Sequence, residues 1–62
     1  MELYKRGSRG EAVKQIQKAL AGAGLKVITD GVYGTITEEA VREFQSQNGL
    51  KPDGIVGPAT LA

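Results

Sequence analysis

The sequence predicts an all-α fold, a small three-helix bundle built by imperfect duplication and carrying two structured loops. Internal repetition is the first observation behind it. Asp30-Gly31-Val32-Tyr33-Gly34-Thr35-Ile36-Thr37 and Asp53-Gly54-Ile55-Val56-Gly57-Pro58-Ala59-Thr60 share the form DGxxGxxT. A second shared element precedes each: Ala12-Val13-Lys14-Gln15-Ile16-Gln17 and Ala40-Val41-Arg42-Glu43-Phe44-Gln45 both read AVxx(apolar)Q, and Gly24-Leu25 and Gly49-Leu50 follow in turn. The second observation is helical spacing of the apolar residues within the repeated segments.

The first helix is expected over about 9–23. Ser8 and Glu11 have the S-x-x-E spacing of a capping box. Ala12, Val13, Ile16, Ala19, Leu20 and Ala23 form one apolar stripe, with Lys14 and Lys18 on the solvated side. Gly24 suits the left-handed position after a helix, and Leu25 can pack back on Leu20.

The second helix is expected over 35–47. Thr35 and Glu38 also form a T-x-x-E box, but Thr35 corresponds to Pro58 in the duplicate, and proline favours the first helical position. That alignment makes Gly34 the N-cap and places Thr37 at N3, from where its hydroxyl can bond back toward the cap. Ile36, Ala40, Val41 and Phe44 supply the buried stripe, and Asn48, Gly49 and Leu50 end the helix as Gly24 and Leu25 end the first. A third helix is expected at 58–62, with Leu61 docking on the other two. Five residues make little more than one turn, so this element depends on packing. The connection Lys26-Val27-Ile28-Thr29 before Asp30-Gly31 resembles a strand entering a hairpin, but Pro52 before Asp53-Gly54 marks a tight turn instead. A short bridge between the two loops stays open.

Composition narrows the chemistry. The chain has 62 residues, no cysteine and no histidine, with eight Lys+Arg against seven Asp+Glu for a net charge of +1. A single domain over 1–62 is expected, near the lower size limit for a hydrophobic core. Disulfides and thiolate or imidazole metal sites are excluded, as is the commonest neutral-pH general base. The start, Met1-Glu2-Leu3-Tyr4-Lys5-Arg6-Gly7, has no signal-peptide pattern, and no apolar run reaches membrane-spanning length.

Three specific chemistries fit the sequence poorly. Calcium loops need several oxygen side chains close together, whereas each loop here offers one aspartate. Asp30 and Asp53 are expected to accept bonds from the amides of their own turns. Asp30, Asp53, Glu38, Glu39 and Glu43 could pair for glycoside hydrolysis, but a chain this short has little core left to wall a cleft. The glutamates are better explained as helix-dipole partners and a solvated face. A DNA reader needs a basic helix. Residues 1–31 carry +3 and residues 32–62 carry −2, which leaves the second helix acidic. No cofactor, metal, nucleic acid or membrane partner is expected.

The order AVxxφQ, Gly-Leu, DGVYGTIT, AVREFQ, Gly-Leu, PDGIVGPAT resembles the peptidoglycan-binding domain of bacterial and phage cell-wall lytic enzymes. It is similar to that family's type-one, three-helix module from about Lys5 to Ala62. The resemblance implies non-catalytic binding of peptidoglycan or muropeptide that tethers a separate wall hydrolase, at the cell wall or in the extracellular or periplasmic space, or in the cytoplasm before release of a phage lysin; a monomer is expected. A protein-interaction or pro-region module on the same fold is the alternative. Val13, Ile16, Leu20, Leu25, Ala40, Val41, Phe44, Leu50 and Leu61 are read as core. Gln17 and Gln45 directly follow core positions, so their amides are expected to bond loop backbone. The candidate ligand contacts are Asp30, Tyr33, Thr35, Thr37 and Arg42, with Tyr33 stacking on a sugar face or, on the other reading, anchoring the loop.

Overall fold

The computed structural model describes residues 3–57, and over these the chain is all-helical: α1 spans Glu11–Gly22 and α2 spans Thr35–Gln47. The expected helix at 58–62, including Leu61, lies outside the described residues. Among them, no helix is long and apolar enough to cross a membrane.

Each helix buries a narrow face. On α1 the buried residues are Val13, Ile16, Gln17 and Leu20; on α2 they are Thr37, Ala40, Val41 and Gln45. Both sets follow helical spacing, and each contains one glutamine. The apolar core comprises Val13, Ile16, Leu20, Tyr33, Ala40, Val41 and Val56, with Tyr4, Leu25, Val27 and Phe44 packed against it. Each fully buried Val, Leu or Ile contributes about 1.5–3 kcal/mol of transfer free energy. Two expectations are corrected here. Ala12, Ala19 and Ala23 are exposed, and Ile36, assigned to the buried stripe, is 51% exposed. Ile36 sits one residue before Thr37 and so about 100° around the helix from the buried face.

The helix ends are built alike. Gly24 takes φ 87° and Gly49 φ 71°. After α1, Gly24 N donates to Ala21 O at 3.0 Å and Leu25 N to Leu20 O at 3.1 Å. After α2, Gly49 N donates to Ser46 O at 3.2 Å and Leu50 N to Gln45 O at 2.8 Å. These paired bonds are the Schellman arrangement, which satisfies the last carbonyls and turns the chain.

Both helices start from a glycine with no side-chain cap. Gly34 is the N-cap of α2; the Thr37 hydroxyl instead reaches Val32 O, two residues before the cap, at 3.5 Å. The Ser8–Glu11 capping box does not form: Gly10 is the N-cap of α1, and no side chain caps it. Residues 7–10 are held by the first loop instead. Gly7 N donates to Tyr33 O (3.0 Å), Tyr33 N to Ser8 O (2.9 Å) and Gly10 N to Gly31 O (2.9 Å). The Ser8 hydroxyl accepts from Lys5 N at 3.1 Å, so α1 begins only where this pairing stops.

The same N-terminal strap reaches the second loop. Tyr4 N donates to Val56 O at 2.9 Å, and Val56 N donates to Tyr4 O at 2.7 Å. Backbone pairing therefore joins each loop to residues 4–10. On the surface, Arg6 Nη2 of the strap also meets Glu38 Oε1 of α2 at 2.6 Å. An exposed pair of this kind is worth up to about 1 kcal/mol.

Candidate functional site

Two glutamines, each fixed on a helix, shape the loops. Gln17 Oε1 accepts from Gly31 N at 2.8 Å, while its Nε2 donates to Val32 O (3.0 Å), Asp30 Oδ1 (3.1 Å) and Thr37 Oγ1 (3.0 Å). Gln45 does the same for the second loop. Its Oε1 accepts from Gly54 N at 3.0 Å, and its Nε2 donates to Ile55 O (2.8 Å) and Asp53 Oδ1 (3.0 Å). An amide offers both a donor and an acceptor, so one buried side chain substitutes for a strand partner.

The loop aspartates close the same device. Val32 N donates to Asp30 Oδ1 and Ile55 N to Asp53 Oδ1, each at 3.0 Å. The Val32 amide, then the Gln17 amide, hold the Asp30 carboxyl below its ordinary value. The Ile55 amide, then Gln45, do this for Asp53. As expected from sequence, both aspartates serve their own turns, and both glutamines bond loop backbone. Among the described residues there is no group of three or more carboxylates, histidines or cysteines able to hold a metal ion.

Tyr33 is not a surface aromatic. It is 1% exposed, and its hydroxyl donates to Gly54 O at 2.6 Å. Burial, then the charges of Glu38 and Asp53, push its ionisation up to about 12. Stacking of Tyr33 on a sugar is therefore corrected: the ring belongs to the core and ties the first loop to the second. Thr37 is 2% exposed and its hydroxyl is engaged with Gln17. Both were attractive in sequence because they flank the first Asp-Gly turn, and both point inward from it.

Open surface lies on the other side of that loop. Ile28, Asp30, Val32, Gly34, Thr35 and Ile36 border a hollow of about 270 Å³, with Thr37 at its base. A second hollow of about 610 Å³ shares Ile28 and Ile36 and extends along Leu25, Lys26 and Val27 on one side and Glu39, Ala40 and Glu43 on the other. Together they form a groove between residues 25–32 and α2 from Thr35 to Glu43. Asp30 and Thr35 lie on it and are exposed. Arg42 lies elsewhere: it packs beside Gly54, where a side-chain carbon built on the glycine would meet Arg42 Nε at 3.1 Å.

The groove's apolar surface comes from residues that the sequence did not mark as contacts. Ile28 is 59%, Val32 41% and Ile36 51% exposed. Their sequence signal was three large aliphatics bracketing one Asp-Gly turn, in a chain too short to bury all of them.

A rigid loop scaffold beside an open aliphatic groove with a polar rim defines a small all-α binding module. The chain belongs to a known family of such modules: residues 9–62 match the family described as "Putative peptidoglycan binding domain". The zinc D-Ala-D-Ala carboxypeptidase of Streptomyces albus G is 51% identical over 58 residues, covering 89% of this chain and 23% of the carboxypeptidase. The crystal structure of the Burkholderia AP3 phage endolysin superposes with a TM-score of 0.92 at 41% identity, covering 95% of this chain and 23% of the endolysin. The SleB N-terminal domain superposes with a TM-score of 0.91 at 38% identity, covering 95% of this chain and 82% of that domain. This chain thus spans less than a quarter of the length of the carboxypeptidase and of the endolysin.

Proposed function

We propose that this chain grips bacterial peptidoglycan through the groove between residues 25–32 and α2 and holds an attached hydrolase on its substrate. The observation that carries this reading is the gathering of Ile28, Val32 and Ile36, exposed, in one groove of a peptidoglycan-binding family member. Exposed aliphatics scattered singly need no explanation, but a contiguous set with a polar rim marks a recognition surface. Asp30 and Thr35, both exposed on the groove, supply rim hydrogen bonds. Affinity need not be high, because tethering to the wall raises the local concentration of whatever is attached.

The wider architecture belongs to the same proposal. Residues 1–62 form a single domain, built as a duplicated helix-and-loop unit. The matching glutamine clamps at Gln17 and Gln45 support the duplication. The domain acts as a monomer, without nucleic acid, membrane or cofactor.

Co-sedimentation with purified insoluble peptidoglycan tests the reading. The wild-type protein is expected in the pellet, and Ile36→Asp, at an exposed position, is expected to lower affinity about tenfold with its helical circular dichroism intact. Wild-type protein left in the supernatant, or full binding by Ile36→Asp, would overturn the groove assignment.

A further inference from the structure

We propose that the groove takes the peptide part of peptidoglycan and leaves the amino-sugar chain outside. This rests on the wall-binding reading above and specifies which half of the polymer makes contact.

The first ground is the shape and chemistry of the walls. A sugar ring offers a flat patch of C–H bonds, and proteins commonly meet it with a flat aromatic face. This chain has three aromatic residues, Tyr4, Tyr33 and Phe44. Tyr33 is buried, Tyr4 and Phe44 pack partly buried against the core, and none of the three lines the groove. The walls are branched aliphatics instead: Leu25, Val27, Ile28 and Ile36, with Ala40 beneath. Such surfaces present methyl-sized bumps and gaps, which suit alanine methyls and a polymethylene chain better than a ring.

The second ground is charge. Lys26 lies on the loop side of the larger hollow, and Glu39 and Glu43 lie on the α2 side. No ion pair joins Lys26 to either glutamate among the described residues. Glu39 and Glu43 are one helical turn apart and so face the same way. In the intact wall the N-acetylated sugar chain carries no charge for such rims to recognise, because its lactyl carboxyls are amide-bonded to the peptides. The wall peptides carry carboxylates from glutamate and a terminal alanine, and many also carry the amine of a diamino acid. A short peptide with both signs of charge therefore complements the two sides at once. The carboxylate goes toward Lys26, the amine toward Glu39 and Glu43, and the methyls lie over Ile28 and Ile36.

The test compares three probes against the wild-type protein: intact sacculi, glycan strands stripped of peptide by an amidase, and the free tetrapeptide L-Ala–γ-D-Glu–diaminopimelate–D-Ala. Binding to sacculi and to the tetrapeptide, with amide shifts at Ile28, Ile36 and Ala40 and no pull-down by stripped strands, is the expected result. Lys26→Glu and Glu39→Lys should each weaken tetrapeptide binding by about two- to fivefold, as exposed charge contacts do. Acetylating the diaminopimelate amine should weaken binding to the wild type but have no further effect on a Glu39→Gln, Glu43→Gln double variant. If stripped strands bind as well as intact sacculi, or if the tetrapeptide shifts residues outside the groove, the inference fails while wall binding stands. Absence of binding to intact sacculi would overturn the wall-binding reading, and this inference with it.

Discussion

Gln17 shows how much one side chain can organise in a short chain. It is fully buried on α1, yet it is the backbone partner of a loop that starts more than a dozen residues later. Its role was legible in the sequence, because a glutamine directly after an apolar stripe position recurs as Gln45 after Phe44, each upstream of an Asp-Gly loop. Tyr33 was harder to place, since an aromatic next to an Asp-Gly turn fits an exposed tip as well as an anchor. What decides it is Gly54 O, an acceptor 21 residues away that local pattern cannot supply. Removing the clamp should be costly. Gln17→Ala leaves Gly31 N without its acceptor and Thr37 Oγ1 and Val32 O without their amide donor, a loss of about 3 kcal/mol. A domain of this length has roughly 3–9 kcal/mol in total. Urea denaturation should show that loss for Gln17→Ala and almost none for Gln15→Ala, whose exposed amide donates to Glu11. A Gln17→Ala midpoint matching that of Gln15→Ala would refute the clamp.

At the scale of elements, the helix ends were legible and the start of α1 was not. A Gly-Leu pair after an apolar stripe specifies its own bonds, all within six residues, so Gly24 and Gly49 could be read directly. The start of α1 is set from outside. Ser8 has the right spacing for a cap, but Tyr33 N binds its carbonyl and Gly31 O holds Gly10, so the first turn begins two residues late. Two neighbouring glycines test the C-terminal device with opposite signs. A side-chain carbon at Gly24 would meet nothing within 4 Å, yet φ there is +87°, so Gly24→Ala should cost about 1–2 kcal/mol from backbone strain alone. Gly22 is the last helical residue, also with open space around it, and Gly22→Ala should stabilise by about 0.5–1 kcal/mol. Thermal melts of the two variants should move in opposite directions. Equal shifts would mean that α1 does not end through a left-handed residue.

At the scale of the molecule, stability comes from tying distant segments together. The groove illustrates why that scale is hard to read in advance. Ile28 and Ile36 belong to different elements, and helical spacing alone placed Ile36 in the core. Only the packing of residues 25–32 against α2 makes them neighbours. The two loops are joined through the strap and through Tyr33, whose hydroxyl bonds Gly54 O. Tyr33→Phe removes that bond and leaves a buried carbonyl unpaired, which should cost about 1–3 kcal/mol near neutral pH. The pH dependence then separates the hydroxyl from simple packing. Folding raises the ionisation of Tyr33 from about 10 to about 12, so its contribution is fully present below pH 10 and is lost as pH rises toward 12. The stability gap between wild type and Tyr33→Phe should therefore be constant from pH 7 to 9 and shrink above pH 10. Absorbance near 295 nm should show one tyrosine ionising only near pH 12 in the wild type, and that late step should be missing from the variant. A gap that stays constant through pH 11 would show that Tyr33 acts through its ring alone and that the loops are not joined by its hydroxyl.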